Sequence, residues 1–512
     1  MKTVLLTRHA GTEDEGSSLY RVFSGIEQIA AQNYNVIRLK PEPWSKRDLD
    51  KWILHNALQT DLLITWDPYV LKILRENGWS GKTILTALGG FPRGAANFRG
   101  AMPYLYQSDT VWCNSSADMG IYTSLVTQDG TQPEAVCIPF SVNEETFQPL
   151  ENEETRQKLR SAWGVKPDDF VLIYAGRVTV EKNVHAIVEA VSEVKRLGYP
   201  IKLIIVGKIE DVPFREFEIY PINVEGKVNA LIEASGISEH VTIYEWQTPS
   251  KLNELLNVAD AFMNLTLHHD ENFGLSQIEA MSAGLPVIGT AWGGLKDTIV
   301  NEEVGFSIDT WITTNGVRFD APATIAAIKC LIESKKLREA QGQHARKRAV
   351  TNYSDSLYRE QVMRLIETAL NCPTEKIKPS FTHFGARFHQ RFAWKGYPMK
   401  YSKSGRAPDP IYEKLSDPDY LDLIRPYTSR TVHKIEHQSS LFQVMTGHLN
   451  GDFFVSEDLL YSIRIPVSPE ESEAIKELSR WQGVPRKNLN YSDDTLASLM
   501  QKGVIGISKE VQ

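Results

Sequence analysis

Two glutamates separated by seven residues, Glu271 and Glu279 in ENFGLSQIEAMSAGLPVIGT, carry the clearest chemistry in the chain. At about 100° per residue, the step between them comes to about 800°, placing the second acid roughly 80° round a helix from the first. With Glu271 in the loop before the first turn, both carboxylates can point to the helix N-terminus. Gly274 lets the backbone approach a ligand closely, and the first N–H groups of the helix then face an anion. A sugar diphosphate suits such a site, its hydroxyls bound by carboxylates and its phosphates by backbone donors. Two solvated glutamates on a surface helix fit the same residues equally well.

Cations come earlier, in AGRVTVEKN directly after the apolar run FVLIY. Gly176 permits a tight turn, Arg177 extends from a strand end, and Lys182 follows five residues later. Both could meet one phosphate group and neutralise a nucleoside diphosphate as it leaves. A solvated arginine and a lysine paired with Glu181 are the alternative. In TAWGGLKD the paired glycines Gly293 and Gly294 bring bare backbone to another strand end, as an ordinary turn also would. In EGSSLYRVFSGIEQIA, Ser17 or Ser18 would cap an amphipathic helix whose N-terminus faces a ligand site, and simple capping explains it nearly as well.

These residues need strands behind them, and the chain supplies two series. TVLLTR, YNVIRL, DLLIT, KTILTAL, TVWCN and EAVCIPF form the first; FVLIYAGR, KLIIVGK, HVTIYEW, AFMNLT, LPVIGT and VGFSI form the second. Short apolar runs alternating with helical patterns predict parallel, doubly wound sheets, which bind ligands beyond the carboxyl ends of their strands. The expected fold is α/β: two Rossmann-like lobes facing a cleft, with a small C-terminal α+β module, a winged helix being one form of it. The expected divisions are 1–150, 151–350, a closing helix at 351–372, a basic aromatic linker at 373–406, and the module at 407–512. From Lys376 to Arg406 there are eight Lys or Arg and no acid, with many aromatics. That stretch could pack on the core, grip an anionic acceptor, or bind nucleic acid by stacking, which the acidic whole disfavours; with the module it could also meet a protein partner.

Composition narrows the classes. The 512 residues bury a core easily, and a net charge of -8 argues against general nucleic-acid affinity. Residues 1–150 hold 13 Lys or Arg against 16 Asp or Glu, which disfavours docking on an anionic membrane. MKTVLLTRHAG reads as a first strand and not a leader, and no run has the length of a membrane span. The four cysteines fit no metal spacing and suggest reduced thiols in the cytoplasm. His268-His269-Asp270 is a poor metal site, because adjacent histidines point apart.

In this order and these settings, the elements resemble the retaining GT-B glycosyltransferases, specifically glycosyltransferase family 4. Glu271 and Glu279 match its Glu-x7-Glu element, and Gly176, Arg177, Glu181, Lys182 and Asn183 match its Gly-Arg…Glu-Lys-Asn element. CIPFSVNEETFQP looks like the segment between its lobes, ADAFMNL like the strand before the first glutamate, and YSDSLYREQVMRLIETAL like its closing helix. The resemblance implies transfer of a sugar from a nucleoside-diphosphate donor, with retention and without a metal cofactor. Arg177 and Lys182 would bind the diphosphate; Glu271 would contact sugar hydroxyls and support an oxocarbenium-like transition state; Glu279 would bind the ribose. Gly274, Leu275, Gly293 and Gly294 would offer backbone donors, and Trp246 lies where the base is often held. Many relatives carry a histidine where this chain has Leu88 or Gly89. Gly89, with Ser17, Asp67 and Arg93, marks the acceptor side. Other readings of the same residues are a phosphorylase-like enzyme, or a catalytically idle nucleotide-sugar-binding subunit that scaffolds a partner.

Overall fold

The structure is a computed structural model describing residues 1–7, 18–39, 45–86, 98–179, 182–210, 223–267, 271–313, 316–385, 418–429, 441–444, 447–457 and 462–508. The chain divides into two compact units. One comprises Met1–Ser141, His269–Leu275 and Tyr353–Glu413; the other comprises Val142–His268, Ser276–Asn352 and Lys414–Gln512.

The first unit is built on a parallel sheet of β1 (Thr3–Thr7), β2 (Asn35–Leu39), β3 (Leu62–Thr65), β4 (Lys82–Thr86), β5 (Thr110–Cys113) and β6 (Glu134–Cys137). Their order is β2-β1-β3-β4-β5-β6, with Val4 opposite both Val36 and Leu62. Each strand lies inside an apolar run expected from the sequence. Val4–Leu6, Leu62–Ile64 and Val111–Cys113 are fully buried, as strands covered on both faces must be. The helix Asp355–Asn371 belongs to this unit: Tyr358 packs near Trp112, and Asp355 accepts from Ser141 Oγ at 3.0 Å. Beyond it the chain runs along the unit, with Gln107 N–H donating to Ile377 O and Thr127 N–H to Ser380 O.

The second unit repeats the plan with β7 (Phe170–Ala175), β8 (Ile201–Val206), β9 (Val241–Tyr244), β10 (Ala261–Asn264), β11 (Val287–Thr290) and β12 (Gly305–Ile308). The order β12-β11-β10-β7-β8-β9 is again that of a doubly wound sheet, and the six strands match the expected runs, β8 starting one residue earlier at Ile201. Leu172, Leu203, Ile205, Met263 and Ile288 pack with Ile187, Val191 and Ile328 of the covering helices.

The C-terminal segment is α+β and packs on this second unit. Antiparallel β13 (Thr310–Thr313) and β14 (Gly316–Phe319) carry Trp311 into a cluster with Phe454, Ile465, Ile475, Leu496, Val504 and Ile507. The helix Pro469–Lys476 starts with a reciprocal cap between Ser468 and Glu471, and Glu471 also holds Lys502 at 2.7 Å. The helix Asp493–Gln501 then leads through Lys502-Gly503 into the buried strand Ile505–Ser508. Among the described residues, no helix is long and apolar enough to cross a membrane.

Candidate functional site

In the second unit, Gly176 and Arg177 follow the carboxyl end of β7, Trp246 that of β9, and Gly293 and Gly294 that of β11. Beyond β7 and β8 the chain continues in parallel: Gly176 N–H donates to Val206 O at 2.9 Å, and Val178 N–H to Lys208 O at 2.8 Å. Gly176 and Gly207 have φ of +149° and +151°, and a Cβ on Gly207 would stand 1.8 Å from Gly176 O. Two strand ends can approach this closely only as bare backbone. Arg177 leaves that contact half in solvent, its side chain 45% exposed, with Nη1 3.2 Å from Glu210 Oε2. Tyr174 Oη donates to Arg177 O at 2.7 Å and fixes the backbone beneath it. An exposed ion pair of this kind contributes about 1 kcal/mol or less. A phosphate could replace Glu210 at little cost.

Lys182 is half-buried, and Asn183 follows in a left-handed conformation, φ +58°, at the head of the helix Val184–Arg196. Asn183 Nδ2 donates to Leu265 O at 3.0 Å, tying this loop to the end of β10. The loop carrying both cations is thus pinned at each end. Glu181 lies outside the described residues.

Glu279 is buried in the helix Leu275–Ser282. Gln277, on the same helix, donates through Nε2 to Thr298 Oγ1, which joins the helix to the turn after β11. In that turn Trp292 is fully buried, Gly293 has φ +53°, and Gly294 caps the four-residue helix Leu295–Thr298. Gly293 N–H donates to Tyr427 O at 2.8 Å. Trp246, just beyond β9, is 55% exposed. A large aromatic left in solvent at a strand end is available for stacking.

Glu271 belongs with the first unit. It is 8% exposed, and its neighbour Asn272 donates through Nδ2 to Asn114 Oδ1 at 3.1 Å, just past β5. Phe273 packs edge-on against Phe140 and Tyr353. Gly274 then turns the chain at φ +86°, where an L side chain would be strained. Asp67 sits past β3 in the same unit. It caps the helix Pro68–Glu76 by accepting from Tyr69 N–H at 2.8 Å, and Thr65 Oγ1 accepts from its own N–H. Burial of the carboxyl pushes its pKa up to about 6, against the pull of the Tyr69 N–H. Ser17, Gly89 and Arg93 lie outside the described residues, as does His268-His269-Asp270. Among the described residues, no three His, Cys, Asp or Glu side chains gather as metal ligands.

Glu210 and Gly207 escaped the sequence reading, although VGK at 206–208 copies the small-Gly-cation order of AGR at 175–177. Pro426 and Tyr427 gave no signal, because they act through backbone carbonyls and, for Tyr427, through a ring contact with Trp292, which is distant in sequence.

Residues 155–348 match the family model described as glycosyl transferases group 1. The D-inositol 3-phosphate glycosyltransferase of Segniliparus rotundus is 26% identical over 230 residues, 45% of this chain and 47% of that protein. CapM, the capsular polysaccharide biosynthesis glycosyltransferase of Staphylococcus aureus, is 28% identical over 226 residues, 44% and 52% of the two chains. The chain spans about half the length of the curated relatives it matches. Among solved structures, sucrose-phosphate synthase from Thermosynechococcus elongatus aligns with a TM-score of 0.56 at 17% identity, covering 72% of this chain and 98% of that one. HepE from Anabaena, solved with UDP and glucose, gives 0.53 at 16% identity, covering 72% and 100%. The shared architecture is GT-B, with two Rossmann-like lobes.

Proposed function

We propose that the chain is a retaining glycosyltransferase that moves a sugar from a nucleoside diphosphate to a hydroxyl acceptor without a metal ion. The observation that carries the reading is Arg177, presented from the glycine-lined end of β7 against an exchangeable carboxylate, within the region matching glycosyl transferases group 1. HepE, of the same fold, was solved with UDP-glucose. In this reading the diphosphate displaces Glu210 from Arg177 and takes a second cation from Lys182. Charge developing on the leaving phosphate is then met by side chains, the service a divalent ion gives elsewhere.

The bond from the anomeric carbon to the diphosphate oxygen breaks as the acceptor oxygen bonds to that carbon. The acceptor's proton passes to the departing phosphate, and the nucleoside diphosphate leaves. Glu271 holds sugar hydroxyls and stabilises the positive character of the ring, while Glu279 holds the ribose and Trp246 stacks on the base. The N–H groups of Gly274 and Leu275 serve the phosphates, and the Gly293-Gly294 turn borders the sugar. Asp67 is assigned to the acceptor side. The cytoplasm, where nucleotide sugars are plentiful, is the proposed site of action, in keeping with the free cysteines Cys113, Cys137, Cys330 and Cys372.

The test is a thermal-shift panel of UDP-, GDP- and ADP-linked sugars in EDTA, followed by donor turnover in wild type and Glu271→Gln. A donor at 100 times its Kd stabilises the native state by about 2.7 kcal/mol. One base family should raise Tm without metal, and Glu271→Gln should keep that shift while turnover falls at least about 100-fold. Wild-type turnover in the mutant would refute the role of Glu271. A shift with inorganic phosphate alone would favour the phosphorylase reading, and inverted product stereochemistry would exclude retention.

A further inference from the structure

The turn Trp292-Gly293-Gly294 is held by a piece of chain about 130 residues away in sequence. Gly293 N–H donates to Tyr427 O, and Lys296 Nζ donates to Pro426 O. The Tyr427 ring, fully buried, meets the Trp292 ring edge-on at 5.5 Å between centroids. Ser429 completes the attachment: its hydroxyl donates to Asp309 Oδ1 and accepts from Thr310 N–H, each at 2.9 Å. The segment Arg425–Ser429 is therefore fixed to the chain ends that follow both β11 and β12. It lies outside residues 155–348, so it is an addition to the matched domain.

These contacts change what the glycine turn can offer. Gly293 N–H is committed to protein, although the glycine pair resembles a ligand-binding turn. Lys296 is likewise drawn to a carbonyl, and burial pushes its pKa down, with Asp297 opposing. What the segment supplies is shape. Gly293, at φ +53°, sits in a left-handed turn that glycine alone adopts freely, and glycine is also the residue that most readily leaves it. An aromatic ring against Trp292 and a carbonyl on Gly293 N–H remove that freedom.

We propose that Tyr427 and Lys296 are positioning residues for the glycosyl end of the donor, fixing the Gly293-Gly294 turn against the sugar. The inference rests on the donor-site reading above. It predicts an effect on the sugar that the nucleotide does not share.

The test uses the full chain with Tyr427→Ala, Tyr427→Phe and Lys296→Met, titrated with UDP-glucose, GDP-mannose and ADP-glucose and with the matching free diphosphates. Tyr427→Ala should weaken the sugar nucleotide about tenfold, the scale on which a small misplacement acts, and the free diphosphate less than about twofold. Lys296→Met should weaken the sugar nucleotide several-fold and the free diphosphate less than about twofold, and Tyr427→Phe, which keeps the ring, should retain the wild-type affinities. If Tyr427→Ala does not fold, Lys296→Met decides. Equal loss for sugar nucleotide and free diphosphate, or wild-type affinity in folded Tyr427→Ala or Lys296→Met, overturns the proposal and leaves the donor site standing. A wild-type chain that binds none of these compounds overturns both.

Discussion

Alanine at Gly207 tests the close approach of β7 and β8 most directly. The added Cβ would lie 1.8 Å from Gly176 O and 2.7 Å from its carbonyl carbon, both backbone atoms that cannot rotate away. The residue would also hold φ at +151°, where side chains are rare. Strain of this kind costs about 1–3 kcal/mol, and overpacking that shifts backbone adds about 1–3 kcal/mol. The sum is about 2–6 kcal/mol. Gly198→Ala is the control: it has φ of +93° and nothing within 4 Å of the new methyl, so it carries strain alone. A left-handed alanine costs about 1–2 kcal/mol. At about 2–4 °C per kcal/mol for a unit of this size, Gly207→Ala should melt several degrees below Gly198→Ala. Because the displaced atoms carry Arg177, Gly207→Ala should also weaken nucleoside diphosphates, whereas Gly198→Ala should not. Tm by circular dichroism and diphosphate affinity by calorimetry read the two effects. Equal melting of the two variants would show that the strand ends do not need bare backbone, and unchanged affinity in Gly207→Ala would detach the glycine contact from the cation it presents.

Two other expectations follow from single contacts. Arg177→Ala should lower Tm by at most about 1–3 °C, since its pair with Glu210 is exposed, yet weaken diphosphate binding at least about tenfold by calorimetry; unaltered affinity would remove it from the site. Asp67 has a folded-state pKa raised to about 6, so the folded state keeps its proton longer than the unfolded chain. Its contribution to stability is therefore present at low pH and is lost as pH rises from about 4 through 6. Asp67→Asn keeps a capping side chain and should flatten that decline in a Tm series from pH 4 to 8, and a parallel decline in both proteins would contradict it.

The central strands of the two parallel sheets were legible because strands covered on both faces must be apolar throughout, as Leu62–Ile64 and Leu203–Ile205 are, whereas the edge strands β2, β6 and β9 are partly exposed and showed only as short runs rich in β-branched residues. The positions of Gly176, Gly274 and Gly293 were legible because positive φ selects glycine. What stayed hidden depends on distant partners. Nothing near Asn272 indicates Asn114 as its hydrogen-bond partner 158 residues away in sequence. The role of Arg425–Ser429 was hidden for a further reason: its acceptors at Pro426 and Tyr427 are main-chain oxygens, present in every residue. Glu210 falls between these cases, since it follows a second copy of the strand-end pattern that points to Arg177.

The placing of Trp311 bears on where this chain can be cut. The residue lies within the matched span 155–348, but the buried side chains it clusters with, Phe454, Ile465, Leu496 and Ile507 among them, come from the C-terminal segment. On the same side, Gln443 accepts from Ala321 N–H, and Ser508 meets Asp320. A fragment trimmed to the matched span would therefore expose an indole and one face of the helix Ala321–Glu333 to water. Expressed alone, it would self-associate through that face, and its solubility would report on the missing tail before any activity could be measured.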